Sequence, residues 1–75
     1  MLTPTQCRMA RAGLRWTILQ LSHRAKVSHV TISRFEIGRV DPIPATLTVL
    51  RQTFEGAGVE FLDGDEPGVK LRARS

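Results

Sequence analysis

Between Thr17 and Gly38 the chain runs through the same local grammar twice: a hydroxyl residue, a short amphipathic run, then a break. Thr17 followed three places later by Gln20 is a capping box, in which each residue satisfies a free backbone N–H of the other at a helix start. Trp16 and Leu21 flank it at the spacing of a hydrophobic staple. Ser28 opens the second run, with Val27 and Ile32 as its staple. The spacing predicts helices over 18–25 and 29–37, joined by a tight turn and stopped at Gly38. Leu21, Ala25, Val27, Ile32 and Phe35 can then meet in one small core, and Ser22 is small where the two helices approach. Such a pair is a helix-turn-helix.

The flanks extend the same pattern. Thr3 as cap, Pro4 at the first helical position and Gln6 closing a capping box start a helix over 4–12. Leu2 and Cys7 are its staple, and Gly13 is placed to end it in the left-handed conformation. Asp41-Pro42-Ile43-Pro44 is a rigid loop leading into a fourth helix over 45–55, where Leu47, Leu50 and Phe54 form one apolar stripe. After Gly58 the period changes to two. Residues 59–62 and 69–72 read as short strands around the turn chemistry of Asp63-Gly64-Asp65-Glu66-Pro67-Gly68. They stand outside the helical core, so an isolated hairpin there must either cover helix 4 or pair with another chain. A basic tail from Arg72 to Ser75 is expected to fray. The fold class is mainly α: one domain over 1–75, four compact helices and a C-terminal hairpin.

Seventy-five residues with a single cysteine cannot be held by an internal disulfide, and an unpaired cysteine suits a reducing cytoplasm. Cys7 reads as a small buried hydrophobe. No apolar run is long enough to cross a membrane, and no signal peptide is recognisable. The net charge of +4 is unevenly spread. Residues 1–40 hold seven basic residues against one acid, whereas residues 41–75 hold four against six. Positive charge therefore coincides with the paired helices, as on a surface that contacts phosphates.

Taken together, Trp16-Thr17, Leu21, Val27-Ser28, Thr31-Ile32-Ser33-Arg34-Phe35-Glu36, Gly38-Arg39, Pro42 and Thr46-Leu47 resemble the Cro/repressor-type, or XRE-type, helix-turn-helix proteins. The resemblance covers roughly residues 5–55. Members are mostly bacterial or phage regulators that bind operators as dimers, in a lambda-repressor-like fold. It implies that the third helix is the recognition helix and that Arg11 on the first helix pairs with Glu36. Two positions depart from the pattern: Ile18 stands where such proteins often carry glutamine, and Lys26 where they usually carry glycine. If Lys26 must adopt positive φ, it costs on the order of 1 kcal/mol relative to glycine.

The expected function is sequence-specific binding of double-stranded DNA, with no cofactor and no metal. His29, Val30, Ser33 and Arg34 are the candidates for base contacts. Arg34 is the foremost, because a guanidinium can bond guanine O6 and N7 together. Thr17, Lys26, Ser28 and Arg39 are the candidates for backbone contacts, which fix register without reading sequence. A homodimer joined through the C-terminal strands would place two recognition helices in successive major grooves. An enzyme is not expected. His23 and His29 are six residues apart and share no helix face, and no phosphate loop or nucleophile motif is present. Asp63, Asp65 and Glu66 lack the full calcium-loop pattern and read as a solvated turn. The competing function is a protein-interaction module, an anti-regulator or antitoxin-like chain, motivated by apolar Ile18 and Leu19 at the start of the second helix.

Overall fold

The computed structural model describes residues 1–72; of the tail expected to fray from Arg72 to Ser75, residues 73–75 lie outside the described residues, and Arg72 is held by its N–H on Gly58 O. Four helices are followed by an antiparallel hairpin: α1 (Pro4–Leu14), α2 (Ile18–Ala25), α3 (His29–Glu36), α4 (Pro44–Gly56), β1 (Val59–Leu62) and β2 (Gly68–Leu71). The helix starts follow the capping grammar. Gln6 N donates to Thr3 Oγ1 at 3.1 Å and Thr3 N to Gln6 Oε1 at 3.0 Å. The second box repeats this, with Gln20 N on Thr17 Oγ1 at 3.1 Å and Thr17 N on Gln20 Oε1 at 2.8 Å. Ser28 caps α3 by accepting from Val30 N. The helix α4 begins with Pro44 and has no side-chain cap.

The end of α1 differs from expectation. The helix continues through Gly13 to Leu14, and Arg15 takes the left-handed conformation at φ 59°. Packing is the reason. A Cβ on Gly13 would lie 2.9 Å from Leu71 Cδ1, so the glycine lets β2 approach the helix and does not turn the chain. Gly38 does turn it, at φ 76°, with its N–H on Phe35 O.

Leu21, Ile32, Leu50 and Phe54 are fully buried at the centre of the core. Trp16 stacks on Phe54, with ring centroids 5.9 Å apart, and Phe61 meets the same ring edge-on at 6.0 Å. The hairpin is therefore not outside the helical core, as its place after the last helix suggested. Val59 and Phe61 alternate inward and complete that core, with Glu60 turned to solvent. The strands pair Val59 with Leu71 and Phe61 with Val69. The second strand starts and stops one residue earlier than expected, and Arg72 N closes the base of the hairpin on Gly58 O at 2.8 Å.

Gln6 ties the two halves together. Its Oε1 belongs to the cap of α1, while Nε2 donates to Leu62 O at 2.9 Å and to Gly68 O at 3.3 Å. The residue is almost wholly buried. Removing it takes a hydrogen-bond partner from each of these part-buried backbone groups, which costs about 1–3 kcal/mol in all. Gln6→Ala is expected to lose about that much stability in urea unfolding. A larger loss is expected for Gln6→Glu, which sets a carboxylate against two carbonyls.

Candidate nucleic-acid interface

The inner face of α3 buries Ile32 and Phe35 in the core. Its geometry then turns residues 29, 30, 33 and 34 to the other side, since positions three and four apart share a helix face. His29, Val30 and Arg34 are exposed and Ser33 is half-buried. Among the described residues neither Arg34 nor His29 makes a side-chain hydrogen bond or ion pair within the protein. Their polar groups are thus available to a ligand.

The C-terminal end of α3 is clamped from α1. Arg11 Nε bonds Glu36 Oε2 at 2.9 Å and Nη2 bonds Oε1 at 2.8 Å, a bidentate pair. Arg11 Nη1 also donates to Trp16 O at 3.1 Å, which holds the approach to α2. The Glu36 side chain is 4% exposed. Hydrogen bonding to Glu36 raises the pKa of Arg11 further above its usual range. Beneath the pair, Cys7 Sγ donates to Glu36 Oε2 at 3.3 Å. Burial, and then the adjacent carboxylate, push this thiol far above its usual pKa, so it stays protonated and a poor nucleophile. Arg8, one turn before Arg11, donates to the Glu36 carbonyl and to Thr5 Oγ1. Sequence reasoning assigned Arg8 no role. Its spacing of three from Arg11, on the same helix face, was the available signal.

The candidate backbone contacts fall into three places. Lys26 and Ser28 line a shallow depression of about 340 Å³ with Ser22, His23 and Val27 at the α2–α3 turn. There Ser22 Oγ donates to Val27 O and braces the turn. Arg39 follows the glycine stop at the far end of α3, its N–H on Arg34 O at 2.8 Å. Thr17 stands apart, at the opposite end of α2 from Lys26. Its hydroxyl oxygen accepts the cap bond, which leaves its proton free to donate.

Lys26 occupies the left-handed conformation, at φ 56° and ψ 42°, with its N–H on Ser22 O. The strain expected of a non-glycine turn residue is therefore present. Lys26→Gly is expected to stabilise the fold by about 0.5–1 kcal/mol, read as a higher thermal midpoint.

Of the two apolar residues at the start of α2, Ile18 packs half-buried against the core and Leu19 is 58% exposed. No helix among the described residues is long and apolar enough to cross a membrane. Scanned against protein-family models and against curated proteins, the sequence matches none of either.

Proposed function

We propose that this protein is a sequence-specific DNA-binding regulator of the Cro/repressor type, with a lambda-repressor-like fold, and that α3 reads base edges in the major groove. One observation carries the proposal. The helix α3 is anchored on one side by Ile32 and Phe35 and at its end by the Arg11–Glu36 pair, which leaves His29, Val30 and Arg34 exposed and Ser33 half-buried on its other side. This support lies in the half of the chain that holds seven basic residues against one acid. Arg34 supplies guanine readout, Val30 a contact to a thymine methyl, and His29 and Ser33 hydrogen bonds near the helix start. Thr17, Lys26, Ser28 and Arg39 hold phosphates. The protein works as a homodimer in a bacterial cytoplasm, at the nucleoid when bound.

Alanine substitution separates the two kinds of contact. Arg34→Ala is expected to cost about 1–3 kcal/mol on the preferred sequence and to relax preference at particular base pairs. Arg39→Ala should weaken binding equally on all sequences and reduce its salt dependence by about one phosphate contact. An unchanged base preference in the Arg34 variant would remove α3 from the reading role.

Exposed Leu19 favours one other function, capture of a protein partner through the start of α2. That contact would be apolar and nearly insensitive to salt, whereas phosphate contacts weaken steeply as salt rises.

A further inference from the structure

A groove of about 760 Å³ opens where α1 and α4 end beside the base of the hairpin. Its size falls within the range of about 300–1,000 Å³ over which proteins hold small molecules. Leu14, Trp16 and Leu71 give it an apolar wall. Arg24 and Arg72 are the charged residues lining it, and no acid does. None of the eight residues assigned to DNA lies there.

The polar side chains left unused around this groove are donors. Arg24 sets its guanidinium carbon 4.5 Å from the centre of the Trp16 ring. Neither Arg24 nor Arg72 makes a side-chain hydrogen bond or ion pair among the described residues. The Trp16 indole N–H is likewise without a partner among them, and it is not sealed from solvent. Helix ends normally present free carbonyls, which would repel an anion. Here several are already occupied. Arg15 N and Trp16 N bond Ala12 O and Arg11 O at the end of α1, and Ala57 N and Gly58 N bond Phe54 O and Glu55 O at the end of α4. Two cations lining one cleft repel each other, and an anion between them turns that repulsion into attraction.

The chemistry of the occupant follows from the two kinds of wall. A carboxylate matches the fork of a guanidinium with both its oxygens. A bare inorganic anion would use the charge alone and leave Leu14, Trp16 and Leu71 in water. An aromatic body uses both walls, because it covers apolar surface and also stacks on the face of a guanidinium. Such an occupant would reach α2 at both ends, through Trp16 just before its cap and Arg24 in its last turn.

We infer that this groove is a binding site for a small aromatic carboxylate, held by Arg24 and Arg72. The inference is independent of DNA reading, since the groove and α3 share no residue.

Titration of the full chain with 2-naphthoate, followed by nitrogen–proton NMR without DNA, is the test. Trp16 is the single tryptophan, so its indole N–H gives one assignable signal. That signal and the amides of Ala57, Gly58 and Arg72 should shift saturably, with a Kd on the order of 1 mM or below. The neutral 2-naphthamide, which has the same shape without the charge, should bind about tenfold more weakly. Acetate, which has the charge without the ring, should not saturate the site. Arg24→Gln and Arg72→Gln should each weaken 2-naphthoate by about fivefold. Both residues are exposed, so circular dichroism should find the helices of each variant intact. The inference is overturned by any of four results: no saturable shift, acid and amide of equal affinity, acetate as tight as 2-naphthoate, or a Kd indifferent to both substitutions. A chain that binds 2-naphthoate as expected and no DNA would leave it standing and sink the DNA reading alone.

Discussion

Arg11→Ala should lower the stability of this domain by about 3–5 kcal/mol, because it leaves the Glu36 carboxylate buried without its cation. Glu36 keeps the Cys7 thiol as a donor at 3.3 Å, but a neutral thiol cannot replace a bidentate guanidinium. Glu36→Ala should cost a comparable amount, because it leaves Arg11 half-buried and unpaired. The total stability of so small a domain is on the order of 5 kcal/mol, so either change brings it close to unfolding at room temperature. The informative quantity is the coupling in a double-mutant cycle. Arg11→Met combined with Glu36→Leu should lose much less than the two single losses added, since no buried charge remains. Additive losses in urea titrations would show that the pair contributes nothing as a pair.

Truncation after Gly58 should abolish the helical fold itself. It removes Val59 and Phe61 from the core, and with Phe61 the edge-on partner of Phe54. Losing a buried large side chain to alanine costs about 3–5 kcal/mol for phenylalanine alone. It also strips Gln6 Nε2 of both its carbonyls. The helical circular dichroism of residues 1–58 should collapse to that of an unfolded chain. A cooperative, helical truncate would mean that the hairpin is an appendage.

The parts of this fold that were legible in the sequence are those written in short-range chemistry. Thr3 with Gln6, Thr17 with Gln20, and Ser28 before α3 each mark a helix start by a local hydrogen bond, and all three form as expected. The strained turn at Lys26 came from the family resemblance, in which glycine usually stands at that place, and Lys26 does take a positive φ. The Arg11–Glu36 pair came from the family resemblance, since nothing local joins residues twenty-five apart. What stayed hidden was long-range. Gly13 looks like a helix stop and is a contact point for Leu71, a residue fifty-eight positions away. Gln6 looks like a cap and is also the pin that holds the hairpin. Arg8 looks like a surface charge and clamps the last carbonyl of α3. Each has a satisfied local explanation that conceals a tertiary one. The eight DNA candidates are a different case: seven are exposed and Ser33 is half-buried, and contact with a ligand is the step that experiment supplies.

The central claim is that the exposed face of α3 reads duplex sequence. Selection of bound duplexes from a random library, followed by affinity measurements on the winner and a scrambled duplex across a salt series, tests it most directly. The expected result is a defined, two-fold symmetric sequence bound far more tightly than the scrambled one. Affinity for both should fall steeply with salt, and Arg34→Ala should erase the preference at particular positions of each half-site. A library that yields no enriched sequence, or binding that ignores both salt and the Arg34 substitution, would contradict it.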